Sequence, residues 1–292
     1  MKVATWNVNS VRTRLDHVVQ WLQDNPVDVL CLQETKVVDK DFPRSPLESL
    51  GYHVYVSGQK SYNGVAILSR KPLEDVSTGF APVLCRDTAL PCPYSELDEQ
   101  KRVITGVVDG VRILNLYVPN GSAVGSEKYE YKLLWLKTLR EYLHLICSAG
   151  VSPAQIGESP HPKSDTPDKL GGFQDLTSLC MCGDFNIAPE DRDIHDPASY
   201  KGRIMASEAE RQALSSILEL GLADAFRKFT IETGHYSWWD YRAGAFRRNW
   251  GWRIDHHYLT PDLYERSKSC TIDVTPRQLP QPSDHTPVIV EF

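Results

Sequence analysis

Two rhythms of apolar residues alternate along the chain. Lys2 to Asn7 (KVATWN) reads as a strand with Val3 and its neighbours buried, ending in the polar run Asn7-Val8-Asn9. Leu15, Val18, Val19 and Leu22 then recur at helical spacing, which predicts a helix from a Thr13 cap to Asn25, stopped by Pro26. Val27 to Gln33 (VDVLCLQ) is an apolar run of the buried, parallel type, and it ends in Glu34-Thr35-Lys36. Strand, helix and strand within ~30 residues form a βαβ-like unit, whose crossover brings both strand ends to one edge. Asn7 and Glu34 are therefore expected to be neighbours in space.

The same reading continues down the chain. Tyr52 to Ser57 and Gly64 to Ser69 are predicted strands joined through Tyr62-Asn63-Gly64, and residues 81–100, with three prolines, are expected to be irregular. Arg102 to Val108 and Val111 to Val118 pair as a hairpin through Asp109-Gly110, and the second strand runs into Pro119-Asn120. Ser126 to about Cys147 is a long amphipathic helix with Leu133, Leu136 and Leu143 inward. Residues 148–177 are rich in Ser, Pro, Gly and Asp and lack any period, so they read as a mobile surface insertion within one domain spanning 1–292. Leu179 to Cys182 is a short buried strand that delivers Gly183-Asp184-Phe185-Asn186. Ser207-x-x-Glu210 is a capping box before a helix with Leu214, Ile217 and Leu218 inward and Gly221 as terminator. Arg253 to Thr260 is a strand carrying Asp255, and Ser283-Asp284-His285 precedes the last strand, Pro287 to Glu291.

Composition narrows the class. The 292 residues are 41% hydrophobic and 24% charged, values of an ordinary soluble globular protein, and no apolar run approaches membrane-spanning length. A net charge of −6 argues against coating nucleic acid by bulk charge but leaves room for a local basic groove. Seven cysteines without regular spacing, no C-x-x-C pair and no Cys/His cluster in sequence give no zinc signal. Cys180-x-Cys182 is expected to be buried thiol, and the absence of a signal-peptide pattern points to a reducing cytoplasm. One stretch stands apart. Residues 236–253 hold four of the seven tryptophans together with Arg242, Arg247, Arg248 and Arg253, against one acid, Asp240. Aromatics interleaved with arginine can stack on bases while guanidiniums hold phosphates, although about half of such aromatics are expected in the core.

Candidate chemistry gathers at strand ends. Asp184 and Asn186 alternate to one side, where a carboxylate and a carboxamide can orient a water, bind a cation or protonate a leaving oxygen. Alone, Gly-Asp-x-Asn is more often a turn. Glu34 beside amides and without a thiol suits a hard cation such as Mg²⁺. Tyr117 alone reads as a core-edge aromatic. His285 with Asp255 on a neighbouring strand can be an imidazole oriented by a carboxylate.

Six segments in order, Trp6-Asn7-Val8-Asn9, Gln33-Glu34-Thr35-Lys36, Tyr117-Val118-Pro119-Asn120, Gly183-Asp184-Phe185-Asn186, Trp252-Arg253-Ile254-Asp255 and Ser283-Asp284-His285, resemble the motifs of the exonuclease III family of abasic-site endonucleases. The resemblance spans residues 2 to 292 and lies within the endonuclease/exonuclease/phosphatase superfamily. It implies a four-layer α/β sandwich of the deoxyribonuclease I type, two mixed β-sheets packed face to face and flanked by helices. It implies a monomeric Mg²⁺-dependent phosphodiesterase, with Mn²⁺ as an alternative cation. The substrate would be double-stranded DNA with abasic sites or 3′ ends, and no membrane would be involved. By the same resemblance, Glu34 is the principal metal ligand, with Asn9, Asp284, Asp184 and Asn186 at or near the metal. Asp184 activates the water or protonates the leaving oxygen, Asn7 and Asn186 orient phosphate or water, Tyr117 assists, and His285 oriented by Asp255 holds a non-bridging oxygen. Arg12, Lys36 and Asn120 fall at substrate-contacting positions, and Trp238, Trp252 and Ile254 line a pocket for a flipped-out sugar. Asn9 replaces the Asp of many relatives, and residues 121–125 lack a basic residue that some carry. The competing readings are a superfamily phosphoesterase on a non-DNA substrate and a non-catalytic DNA-binding protein.

Overall fold

The computed structural model of the chain describes residues 1–85, 92–148 and 178–292. The predicted insertion at 148–177 lies, but for Ser148, outside them. In chain order the strands are β1 (Lys2–Asn7), β2 (Val29–Gln33), β3 (His53–Ser57), β4 (Val65–Ser69), β5 (Glu74–Thr78), β6 (Val103–Val108), β7 (Val111–Tyr117), β8 (Ser178–Asp184), β9 (Ala223–Asp224), β10 (Trp238–Trp239), β11 (Gly251–Trp252), β12 (Asp255–Leu259), β13 (Ser269–Ile272) and β14 (Val288–Glu291). Among the described residues they form two six-stranded sheets, ordered β13-β14-β1-β2-β4-β3 and β5-β6-β7-β8-β12-β9, and a two-stranded arm, β10-β11. Each large sheet is mixed, with one parallel pair, β1 with β2 and β7 with β8.

Three apolar clusters define the layers. Val3, Cys31, Ile113, Cys182 and Leu259 meet between the sheets. Ala4, Trp6, Leu30 and Leu32 pack outward on Val18, Trp21 and Leu22 of the helix Leu15–Asp24. Leu114, Leu116, Leu179 and Met181 pack outward on Trp135, Leu136 and Leu139 of the helix Glu127–Ser148 and on Leu214 and Ile217 of the helix Glu208–Leu218. Helix, sheet, sheet, helix is the four-layer sandwich that the motifs implied. Strand alternation explains what this does for function. Val3, Cys180, Cys182 and Leu259 face the other sheet, so Asn7, Asp184 and Asp255 on the same parity also face inward, at the mouth where the strands end. Just below that mouth Gln33 Nε2 donates to Asn115 Oδ1 (2.7 Å), while Asn115 Nδ2 donates to Ala66 O (2.8 Å) and Leu32 O (3.0 Å). This polar tie joins the two sheets.

Some expectations need correcting. Thr13 caps no helix: its hydroxyl bonds to Ser10 Oγ (3.1 Å) and the helix opens after Arg14. The segment expected to be irregular contains the short helices Ala81–Leu84 and Ser95–Asp98, joined because Asp98 accepts from Phe80 N (2.7 Å) and Ala81 N (2.8 Å). Cys85 and Cys92 form a disulfide there, contrary to the fully reduced reading. The short strands β5, β9, β10, β11 and β13 carried too little alternation to be read. The capping box at Ser207 and Glu210 is formed as expected. Among the described residues no helix is long and apolar enough to cross a membrane.

Candidate active site

Four site residues sit in the left-handed backbone region that costs a non-glycine residue about 1–3 kcal/mol. They are Asn9 (φ 43°), Glu34 (φ 51°), Lys36 (φ 55°) and Asn186 (φ 50°). Backbone bonds hold this strain in place: Ser10 N donates to Glu34 O (2.7 Å), Thr35 N to Gly64 O (3.1 Å) and Lys36 N to Asn63 O (2.9 Å). Gly183 (φ 141°) permits the close approach of β8 to β7, since a Cβ there would lie 1.9 Å from Leu116 O. That approach fixes the depth of Asp184.

The side chains converge on Asp184. Asn7 Nδ2 donates to Glu34 Oε1 (2.9 Å) and to Asp184 Oδ2 (2.9 Å), linking the two carboxylates. Asn186 donates to Asp184 twice, from its backbone N to Oδ1 (2.9 Å) and from Nδ2 to Oδ2 (3.2 Å). His285 Nε2 stands 3.7 Å from Asp184 Oδ2, and its Nδ1 bonds Asp255 Oδ2 (2.9 Å). Ser237 Oγ donates to that same Asp255 oxygen (2.6 Å) and accepts from Ile254 N and Asp255 N, both at 3.1 Å. Ser237 was not singled out from the sequence, and only its partner in space reveals it.

Charge follows from this geometry. Burial disfavours a charged His285, yet Asp255 and then Asp184 overcome it and carry its pKa up to about 10. That raised pKa favours the imidazolium, in which Nε2 is a donor. Burial raises Asp184 to about 7, against the lowering effect of His285, a value at which a carboxyl can give or take a proton. Burial opposes the ionisation of Glu34, but Lys36 and the Asn7 bond hold its pKa below the usual range. Burial, then Glu34 and Asp184, keep the Tyr117 phenol protonated far above its ordinary range.

Around this centre the predicted residues take different places. Lys36 Nζ bridges Glu34 Oε2 (2.8 Å) and Asn9 Oδ1 (2.5 Å), and Asn9 Nδ2 donates to Asp284 Oδ1 (3.0 Å). Trp238 Nε1 donates to Asp284 Oδ2 (3.0 Å), so the aromatic arm is stitched to the His285 loop. Asn120 Nδ2 donates to Asn186 Oδ1 (3.0 Å). Beside the cluster a cavity of 380 Å³ is walled by Trp238, Trp252, Trp250, His195, Tyr200 and Met205, whereas the predicted pocket residue Ile254 is buried in the cluster with Trp252 and Met205 and does not line it. Arg12 leans on Asp41 (3.6 Å). Arg253 does not belong with the surface arginines: it is buried and pairs with Asp193 (2.6 Å) and Asp224 (2.7 Å). Trp239 is core, whereas Arg247, Arg248 and Trp250 are exposed. Lys132, fully buried, was also missed, and it donates to Asn186 O (2.7 Å) and Asn120 O (3.2 Å).

Glu34, Asp184 and His285 bring ligand atoms within 4.8 Å of one another. Two carboxylates fit a hard cation, so Glu34 and Asp184 could hold one here. Lys36 occupies the Glu34 oxygen that such a cation would contest.

The sequence pattern of the Endonuclease/Exonuclease/phosphatase family matches residues 4–285. The chain belongs to this family. Its members are metal-dependent nucleases, and this one is a hydrolytic enzyme of that type. The exodeoxyribonuclease of Bacillus subtilis is 31% identical, covering 99% of this chain and 98% of its own. A 3′ phosphatase from Neisseria, NExo, solved with a product DNA hairpin, superposes with a TM-score of 0.85 at 38% identity, covering 100% of this chain and 99% of its own. An AP endonuclease from Archaeoglobus fulgidus superposes with a TM-score of 0.83 at 38% identity, with the same coverage.

Proposed function

We propose that the chain is a Mg²⁺-dependent DNA repair phosphodiesterase that cleaves duplex DNA 5′ to abasic sites. Its 3′→5′ exonuclease and 3′-phosphatase activities use the same centre, and Mn²⁺ can replace Mg²⁺. The observation that carries this reading is the line Asp184–His285–Asp255 beside Glu34, opening next to a cavity walled by Trp238 and Trp252. The DNA-directed names of its relatives support the substrate class.

Phosphodiester hydrolysis needs an in-line water, donors on the non-bridging oxygens and a proton for the departing alkoxide. Asp184, poised near neutrality, exchanges the proton, with Asn7 and Asn186 holding both its oxygens in fixed directions. The imidazolium of His285 donates from Nε2 to a non-bridging oxygen and stabilises the five-coordinate transition state. Asp255 keeps it charged and oriented. Tyr117, held neutral, keeps its hydroxyl proton to donate to phosphate. Asn9 and Asp284 lie beside the cation position, and Arg12, Lys36 and Asn120 contact the DNA backbone. Glu34 and Asp184 would hold Mg²⁺, which when bound would supply charge neutralisation on the phosphate. The flipped-out sugar enters the cavity walled by Trp238 and Trp252, with Ile254 packed behind Trp252, and is selected there over a nucleotide that carries its base. The enzyme acts as a monomer in the cytoplasm.

The test is product analysis on an end-labelled duplex with one central abasic-site analogue, beside an intact duplex, each with Mg²⁺ and with EDTA. A single Mg²⁺-dependent nick 5′ to the lesion, leaving a 3′ hydroxyl, is expected. A ladder from the 3′ end of both duplexes without that nick keeps the catalytic assignment and overturns the pocket. No cleavage of either moves the function to another phosphoester or to DNA binding alone.

A further inference from the structure

Below the active site, between the sheets, three thiols and an imidazole meet. Cys180 and Cys182 are two residues apart on β8, so both face the opposite sheet. His257 lies directly across from Cys182 on the neighbouring strand β12. The ligand atoms of these three residues all lie within 4.8 Å of one another, and Cys180 Sγ is 3.7 Å from His257 Nδ1. Cys31 faces the group from β2 of the other sheet, in the same buried cluster but outside the set of ligand atoms that lie within 4.8 Å of one another. All four side chains are fully buried.

The imidazole decides between an ordinary apolar core and a built site. A buried thiol behaves as a small hydrophobe and needs no polar partner. A buried imidazole does. His257 Nε2 lies 3.0 Å from the carbonyl of Val288, which can only accept. Nε2 therefore carries the proton, and the lone pair of Nδ1 points at the sulfurs. A backbone carbonyl that fixes the tautomer in this way is the usual support of a metal-ligating histidine. Tetrahedral zinc, with Zn–S near 2.3 Å and Zn–N near 2.0–2.1 Å, places adjacent ligand atoms roughly 3.6–3.8 Å apart. The 3.7 Å separation of Cys180 Sγ and His257 Nδ1 matches that spacing without rearrangement.

We propose that Cys180, Cys182 and His257, closed by Cys31, form a structural zinc site that ties the two sheets together beneath Asp184. The sulfurs ligate as thiolates, and their protons pass to solvent. Because the ligands come from both sheets, zinc is taken up as the sandwich closes rather than by the finished fold.

The full chain, purified under reducing conditions and dialysed against EDTA in its folded state, is assayed for zinc by mass spectrometry. One zinc per chain is expected to remain. Refolding with Co²⁺ is expected to give thiolate-to-cobalt charge-transfer absorption, a signature that the oxygen-lined active site has no sulfur to produce. Cys182→Val and His257→Phe should each abolish it. Where a variant fails to fold, the unaltered chain decides. Folded, reduced protein with substoichiometric zinc and no charge-transfer band after cobalt refolding overturns the site. Bound metal whose spectrum lacks sulfur ligation overturns it equally, by placing that metal at the carboxylates.

Discussion

His285 holds two carboxylates apart and is charged because of them. Its pKa near 10 depends first on Asp255, the strongest influence opposing burial. Asp255→Asn should return the imidazole toward its ordinary range, and kcat should fall by about 10²–10⁴-fold. The alkaline limb of the pH–rate profile should also move to lower pH, because His285 then loses its proton earlier. A loss of rate with an unmoved alkaline limb would show that Asp255 acts in some other way. Asp184→Ala should abolish turnover yet leave duplex affinity, read by fluorescence anisotropy, near that of the parent chain. Near-normal rates in that variant would remove Asp184 from the centre of the mechanism. Glu34→Ala should instead raise the Mg²⁺ concentration needed for half-maximal rate, since it removes one of the two carboxylates, Glu34 and Asp184, whose oxygens gather at this centre. Glu34 and Asp184 were legible because each follows a short apolar run, whereas Asp255 opens a strand and His285 precedes one. Ser237 was not, since a serine beside two tryptophans has no pattern of its own.

The helix Glu127–Ser148 shows what element-scale reading gains and loses. Its apolar stripe was readable, and Leu136 and Leu143 are buried as expected, with Leu133 half-buried. Lys132 was invisible, because a lysine in an amphipathic pattern is normally a solvated position. Here its ammonium pairs with Glu210 Oε1 (2.5 Å) and donates to the carbonyls of Asn186 and Asn120. Glu210 in turn accepts from Met205 N (3.0 Å) and Ser207 N (3.1 Å). The capping box legible in the sequence is thus also the anchor of a buried ion pair that reaches the active-site loop. Lys132→Ala would strand a buried carboxylate, at a cost of about 3–5 kcal/mol. Urea unfolding should show that loss, and Lys132→Met with Glu210→Gln should regain most of it. Because the carbonyl of Asn186 is then unheld, kcat of the double variant should stay low although stability returns. Full recovery of both would reduce Lys132 to a stability element.

Across the whole molecule, the sequence carried strand faces but not their meeting. The alternation that points Asn7, Asp184 and Asp255 inward is local, whereas the two-sheet closure rests on contacts between distant segments and was read only through family resemblance. Buried networks that gather distant segments were equally hidden. One gathers Arg253, Asp193, Asp224 and His256 at the edge of the second sheet, with Arg253 Nη1 3.0 Å from His256 Nδ1. Burial and then Arg253 push His256 down to about 4. The unfolded chain protonates this histidine near 6.5, so between about 6.5 and 4 it takes up a proton that the fold refuses, and stability falls as pH falls. Burial raises Asp193 and Asp224, but Arg253 outweighs it and leaves both depressed, so their contribution is present above the ordinary carboxylate value and is lost at still lower pH. His285 acts with the opposite sign: its raised pKa stabilises the fold below about 6.5, and that contribution fades as pH climbs through about 10. Unfolding free energy should therefore form a dome in pH, measurable by urea titration at intervals from acid to alkaline. His256→Asn removes the refused proton and should flatten the limb between 6.5 and 4 by on the order of 3 kcal/mol. Parallel acid limbs in the variant and the parent chain would mean that His256 is already protonated in the fold, and the Arg253 network would then need a different charge state.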